Sequence, residues 1–155
     1  MSLYRAQSAK YLKGTSGVFR NPNLSRVRRP RDMPLDVNFV VSEWFLTEFG
    51  VDYRGRGLFC TGSKEAARGY ASSTALLIEL VPVGEFSLCY SGTCRDLFGH
   101  LQFGDLLHNS TLDEIKPELA KLGYVTHINC GLETAALSGA EVMLFAEAFR
   151  YKVIQ

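Results

Sequence analysis

The sequence lacks any uncharged apolar run of about 18 residues, the length that an α-helix needs to cross a bilayer. Its most apolar window, Ala75–Val83, is short and is interrupted by Glu79. The N-terminal segment Met1–Leu12 also lacks the apolar stretch of a signal peptide and carries Arg5 and Lys10 in its place. These absences predict a soluble, cytoplasmic protein without a membrane partner.

A strong net charge is lacking as well, because 17 Lys and Arg residues oppose 16 Asp and Glu residues for a formal charge of +1. Overall charge therefore gives no argument for a nucleic-acid partner, and such an argument has to come from local clusters. The sequence has no CxxC pair, and its cysteines and histidines lack the close spacing of a structural zinc site. We expect reduced thiols, no metal site, and histidines with structural or surface roles. The residues concerned are Cys60, Cys89, Cys94, Cys130, His100, His108 and His127.

A chain of 155 residues with 46% hydrophobic residues predicts one packed domain over residues 1–155. Its strands and helices mostly do not alternate, which favours an α+β fold. The predicted strands are a short first strand around Leu3–Ala6, then Leu58–Thr61, Ala75–Val81, Glu85–Tyr90, Tyr124–Asn129, Glu141–Ala146 and Phe149–Ile154. The predicted helices run from an N-cap at Asp36 to Gly50, over Lys64–Tyr70 after an N-cap at Ser63, and from Thr111 or Pro117 to Gly123, while Ser91–Ser110 is expected to be a loop with one helical turn.

The segment Gly55–Ser72 is the part of the chain that most suggests a binding site. A strand ends there in a small polar turn, Thr61–Ser63, and a helix follows whose free backbone amides can hold a ligand. Phe59 and Tyr70 are eleven residues apart, so their rings can face each other across a slot. The alternative is that both rings belong to the core.

Two charged residues are further candidates. Glu141 opens the apolar run EVMLF, where an unpaired buried carboxylate would be costly, so it is either a catalytic group at a cleft or a solvated strand end. Arg5 lies in the short first strand, where its planar guanidinium can clamp a phosphate or ribose or can simply be exposed. Glu133 and Glu147 are weaker candidates, since we expect the first in a loop and the second in a turn between the last two strands.

The run from Gly57 to Lys64, with Ala66-Ala67 and Gly69-Tyr70 after it, resembles the nicotinamide-binding segment of the diphtheria-toxin-like and poly(ADP-ribose)-polymerase-like ADP-ribosyltransferases. The resemblance extends to Leu122–Tyr124 and to Ala136–Ser138 followed by Glu141, which look like the final motif of that family. Arg5 falls where the first motif supplies His or Arg. The resemblance covers about two thirds of the chain and implies an ADP-ribosyltransferase-like split mixed β-sheet with a few short helices.

The same resemblance implies the roles of individual residues. Glu141 is the catalytic residue, and Phe59 and Tyr70 stack on the nicotinamide of the co-substrate NAD. The other residues implied at the NAD site are Arg5 and Ala6 from the first motif, with Thr61 and Ser63 nearby. The sequence departs from the family where Ala6 replaces a glycine, where Phe59 replaces a tyrosine, and where Gly139 stands in place of the second acid of the arginine-modifying branch.

The composition changes within Arg20–Arg31, which has five arginines, two prolines and no acidic residue, and which we expect to be an exposed loop. It is a solvated surface, a lid over the NAD pyrophosphate, or a platform for a protein or nucleic-acid acceptor. The resulting hypotheses are a mono-ADP-ribosyltransferase, an NAD glycohydrolase toxin, or a catalytically silent interaction module of the same fold. An enzyme of this size would suit an effector delivered by a route that needs no signal peptide.

Overall fold

The computed structural model describes residues 2–30, 32–108 and 111–154. Arg31 and Ser110, which end two of the segments discussed above, lie outside these residues. The strands are β1 (Leu3–Ser8), β2 (Ser16–Arg20), β3 (Leu58–Thr61), β4 (Ala75–Ser91), β5 (Tyr124–Ile128) and β6 (Glu141–Val153). The α-helices are α1 (Leu35–Phe49), α2 (Tyr53–Arg56), α3 (Lys64–Gly69), α4 (Leu97–Phe103), α5 (Leu112–Lys121) and α6 (Leu132–Leu137), and a 3-10 turn spans Ala9–Tyr11.

The long strands β4 and β6 form the centre of an antiparallel sheet, paired from Ile78 opposite Val153 to Tyr90 opposite Val142. Since β6 occupies one edge of β4, β1 and β5 share the other edge, at residues 75–80 and 87–91. In the same way β3 and β2 share the outer edge of β6. The mixed α+β class is confirmed, with a sheet that is small and barrel-like.

The first and third strands meet where Thr61 pairs with Tyr4 on one side and with Glu141 on the other. One register position therefore brings together segments from the beginning, the middle and the end of the chain. A closed sheet of this kind satisfies backbone groups that would otherwise be exposed at strand edges. The same junction sets the position of the site described below.

Hydrophobic clusters cover both faces of the β4–β6 pair, because successive side chains in a strand point to opposite faces. Val142 and Leu144 belong to the cluster that lines the sheet and α6, whereas Met143 belongs to the cluster that includes α1, α4 and α5. Helix α1 buries Val37, Val41 and Phe45, and it ends at Gly50 in the left-handed conformation with φ +74°. The predicted amphipathic helix and its end are confirmed, although the helix begins at Leu35, after Pro34.

Two predicted breaks in strands were wrong. Pro82 and Gly84 suggested a turn, but β4 continues through them with a bulge between Val83 and Phe86, where Gly84 has φ +74°. Pro82 is tolerated because that part of the outer edge of β4 pairs with neither β1 nor β5, so no ladder hydrogen bond there requires its N–H. Glu147 likewise lies within the continuous strand β6, not in a turn.

The helices also differ from the prediction in places. Helix α5 begins at Leu112, so Pro117 lies inside it. The carbonyl that this proline leaves without a helical donor is that of the exposed Asp113, where water can replace the bond. Helices α2 and α6 and strand β2 were not predicted, because each is short and carries little periodicity, and α4 is longer than the single turn expected between Ser91 and Ser110.

The arginine-rich segment is less exposed than predicted. Arg20 belongs to β2, and the described residues that follow it, 21–30, form an irregular loop. Asn21 is buried, and its side-chain amide donates hydrogen bonds to the carbonyls of Arg56 (2.8 Å) and Ala146 (3.0 Å). The backbone N–H of Arg28 donates to the carbonyl of Gly55 at 2.9 Å. The loop is therefore attached at both of these points, and part of it packs against the body of the protein.

Candidate active site

A cavity of about 400 Å³ lies beside the junction of β1, β3 and β6. Helix α3 closes one part of its wall, and residues 28–29 of the arginine-rich segment close another together with residues 32–33 that follow the segment. Arg95, Asp96 and Phe98, at the start of α4, contribute to the lining as well. A concave site of this size with several polar groups is typical of a small-molecule site.

The cavity brings together most of the residues that the sequence singled out. Its lining includes Arg5 from β1, Phe59 from β3, Tyr70 at the end of α3 and Glu141 at the start of β6. Ala6 and Thr61 line it as well, whereas Ser63 does not. The Ser63 hydroxyl is the predicted N-cap of α3 and accepts a hydrogen bond from the N–H of Ala66 at 3.2 Å.

Arg5 is held firmly in the cavity wall. Its Nη1 donates to the carbonyl of Phe59 at 2.8 Å, and its Nε donates to Oε1 of Gln7 at 2.6 Å. Burial lowers the pKa of this guanidinium below its ordinary value. The two hydrogen bonds fix the plane of the Arg5 guanidinium, so the position of this positive charge is set before any ligand binds.

The ring of Phe59 contacts two arginines. The guanidinium carbon of Arg28 lies 4.0 Å from the ring centre and that of Arg54 lies 4.7 Å from it, both within cation–π range. Burial, followed by repulsion from Arg54, lowers the pKa of Arg28 to about 10. An aromatic ligand that stacks on the face covered by Arg28 has to displace that guanidinium.

Glu141 is a partly buried carboxylate beside an arginine. Its side chain is 17% exposed, and its Oε1 lies 3.6 Å from Nη1 of Arg54. Burial is the main cause that raises the pKa of this carboxyl; Asp96 raises it further, while Arg54 and Arg28 act in the opposite direction. The backbone N–H of Glu141 donates to the carbonyl of Arg95 at 2.9 Å, which fixes the start of β6.

Tyr70 follows α3 and is 48% exposed. Burial raises the pKa of its phenol to about 12, with smaller contributions from the negative charges of Asp96, Glu141 and Asp32. The side chain is therefore a neutral aromatic ring with a polar end at any physiological pH. Such a ring can stack on a planar ligand and still hydrogen-bond at its edge.

Six charged residues of the cavity were not predicted individually: Arg28, Arg29, Asp32, Arg54, Arg95 and Asp96. With Arg5 the lining has five arginines, against the three carboxylates of Asp32, Asp96 and Glu141. This excess of positive charge suits an anionic ligand. The one usable signal for these residues was the clustering of arginines before Asp32, since Arg54 lies in a helix of one turn and Arg95 in a segment without periodicity.

The remaining candidate residues lie away from this cavity. Glu133 is exposed, and Glu147 is also exposed, 3.6 Å from Arg20. His100 and His108 each contact a carboxylate at 2.8 Å, of Glu118 and Asp105 respectively. Within residues 2–30, 32–108 and 111–154, no group of three metal-binding side chains was found and no helix is long and apolar enough to span a membrane.

Comparisons with models of known protein families, with curated proteins and with solved structures gave no match. A function can therefore be inferred only from the residues of the cavity and from the motif resemblance of the sequence.

Proposed function

We propose that the protein is an NAD-dependent mono-ADP-ribosyltransferase that cleaves the bond between nicotinamide and ribose and transfers ADP-ribose to a protein or nucleic acid. One observation carries the proposal: Arg5, Phe59, Tyr70 and Glu141, which come from separate parts of the chain, line a single cavity. The same four residues carry the motif resemblance. NAD combines a planar aromatic ring with an anionic pyrophosphate, and the cavity offers aromatic rings and an excess of arginines to such a ligand.

In the proposed reaction the bond between the ribose C1′ and the nicotinamide nitrogen breaks, and its electron pair leaves with neutral nicotinamide. Positive charge then develops on the ribose, as in glycoside hydrolysis, and the carboxylate of Glu141 stabilises it. Phe59 and Tyr70 hold the leaving ring, and Arg5 pairs with ribose or phosphate oxygens. The acceptor nucleophile forms a bond to C1′ and gives up a proton.

The macromolecular acceptor would approach beside the arginine-rich loop. Arg26 and Arg29 are exposed on this loop, and Arg28 and Arg29 line the cavity. A surface of this kind would attract phosphates or acidic side chains near the bound NAD. An NAD glycohydrolase would use the same cavity with water as the acceptor, so the two activities must be separated by experiment.

The test uses radiolabelled NAD and a cell lysate, with nicotinamide release and label on macromolecules followed together. We compare the wild type with Glu141→Gln and with the control Glu147→Gln, which removes an exposed glutamate of the same strand. Glu141→Gln is expected to lower the rate about 100- to 1,000-fold, as loss of a transition-state electrostatic partner commonly does. Glu147→Gln is expected to retain the wild-type rate.

The outcomes separate the hypotheses. Label on a protein or nucleic acid that depends on Glu141 supports the transferase. Nicotinamide release without label supports the glycohydrolase instead. A loss of less than a few-fold in folded Glu141→Gln protein would remove this carboxylate from the mechanism.

A further inference from the structure

Arg54 is a buried charge for which neither the fold alone nor the motif resemblance provides a reason. It lies on the one-turn helix α2, and only 5% of its side chain is exposed. Among the described residues its Nε has no hydrogen-bond partner, although the atom is buried. Burying an incompletely paired guanidinium costs free energy, so a structural role alone is a poor explanation for an arginine at this position.

The local fold fixes where Arg54 points. The carboxylate of Asp52 caps α2 and accepts a hydrogen bond from the N–H of Gly55 at 3.0 Å. The guanidinium then lies against the ring of Phe59 at 4.7 Å and reaches Oε1 of Glu141 at 3.6 Å. Arg54 therefore touches two residues of the proposed NAD site at once, and it lines the cavity itself.

We propose that Arg54 is a positioning residue for Glu141: it holds the carboxylate ionised and directed into the cavity, with the Phe59 ring keeping its guanidinium in place. This inference rests on the proposed function, because an ionised carboxylate is what a positively charged ribose requires. In this arrangement Arg54 does not touch the reacting atoms. It acts through the charge and orientation of Glu141.

The charges around Glu141 determine the sign of the expected effect. Arg54 and Arg28 favour the carboxylate form, whereas burial and the charge of Asp96 disfavour it. Removing the charge of Arg54 leaves the opposing causes in place, so the pKa of Glu141 is expected to rise further. The other charged or titratable groups that face it or line the cavity nearby are Tyr4, Arg5 and Cys60 from the sheet, Tyr70 after α3, Arg29, Asp32, Cys94 and Arg95 from loops, and Tyr124 from β5.

The test compares the wild type with Arg54→Gln, Arg54→Met and Arg54→Lys, and with Arg20→Gln as a control for an exposed arginine. Nicotinamide release from NAD is measured against pH. Arg54→Gln and Arg54→Met are both expected to move the acidic limb of the pH–rate profile to higher pH by about one unit. This shift corresponds to a tenfold higher proton affinity of the Glu141 carboxyl. Both variants should lower kcat at neutral pH and change KM for NAD less than threefold, whereas Arg54→Lys should lie between them and the wild type.

A second measurement does not depend on turnover. NMR titration of the Glu141 side-chain carboxyl, assigned by its absence from Glu141→Gln, reports the same coupling directly. An upward shift in either neutral variant supports the proposal even if the wild type releases no nicotinamide, in which case the proposed function fails alone. If Glu141 titrates in the folded neutral variants as it does in the wild type, or if only KM changes, the positioning role is overturned. Arg54→Met fits a buried site better than Arg54→Gln and carries the test should the latter not fold.

Discussion

At the scale of single residues, the cavity combines aromatic rings with charges that do not neutralise one another. Phe59 contacts two guanidiniums, and one of them also contacts Glu141. Each of these groups affects the next, since the position of Arg54 depends on the ring and the ionisation of Glu141 depends on Arg54. Substitutions here are therefore expected to be non-additive.

Tyr70→Ala tests the stacking role of the half-exposed ring. Because the neutral phenol lines the cavity, its removal should weaken NAD binding about tenfold, the loss of one aromatic contact and its buried area. Tyr70→Phe should bind nearly as the wild type does. The measurement is isothermal titration calorimetry with Tyr11→Ala as the control, since Tyr11 is exposed and lies outside the cavity lining. Unchanged affinity in folded Tyr70→Ala protein would mean that the ring has a packing role only.

The sequence predicted those site residues whose type and order form a motif, and it missed those that only folding brings near. Phe59, Tyr70 and Glu141 were found because their order and spacing resemble a family pattern. Arg54 was missed because a helix of one turn has no period, and its buried position depends on the packing of α2 against α1 and β6. Arg28 was recognised only as one of a cluster, since nothing in the sequence distinguishes it from its exposed neighbour Arg26.

At the scale of elements, the turn between β3 and α3 depends on the absence of a side chain. A Cβ on Gly62 would lie 1.9 Å from the carbonyl oxygen of Ala136, so the turn packs directly against the backbone of α6. This contact holds the end of β3, where Thr61 pairs with Glu141. Gly62, predicted as part of a small polar turn, is therefore also a packing contact between two elements.

Gly62→Ala is expected to lower the free energy of unfolding by about 3 kcal/mol, because two backbone segments have to separate to admit the methyl group. Gly69→Ala is the matched control, since a Cβ there meets nothing within 4 Å and alanine suits the helix. Urea denaturation of both variants measures the difference. Equal stabilities would contradict the close contact between the turn and α6.

At the scale of elements, local sequence signals and strand pairing together explain which parts of the fold could be predicted from the sequence. Leu58–Thr61 and the helix ending at Gly50 were confirmed because apolar pattern and end signals agree there. In β4, Pro82 and Gly84 are end signals that the structure overrides, since β6 continues to pair with the strand beyond them. Local signals of this kind describe the residue and its neighbours, whereas the length of a strand depends on the partner beside it.

At the scale of the whole molecule, a net charge near zero coexists with a local excess of positive charge. The formal charge is +1, yet five of the 17 basic residues line one cavity with only three carboxylates. The total charge therefore does not indicate the charge of the ligand, whereas the distribution of charged residues indicates an anionic one. The cavity also lies at the junction of β1, β3 and β6, so opening the sheet there would dismantle the site and the core together.

The four cysteines can report whether the site and the core open together, since three are buried in the two hydrophobic clusters and Cys130 is exposed. Burial raises the pKa of Cys60 and of Cys89 to about 12, so at pH 8 only about one in 10⁴ of either thiol is the reactive thiolate. A thiol reagent at pH 8 is therefore expected to modify one cysteine in the native protein and four after denaturation.

The control for this measurement is Cys130→Ser, which should show almost no native reaction. Mass spectrometry assigns each modified residue. Because Cys60 lies on β3 between Phe59 and Thr61 and lines the cavity, its labelling reports opening of the site itself. If Cys60 is modified as fast as Cys130 while Cys89 stays protected, then β3 opens independently of the hydrophobic cluster that includes α1, α4 and α5. In that case the site is less preorganised than an electrostatic mechanism requires.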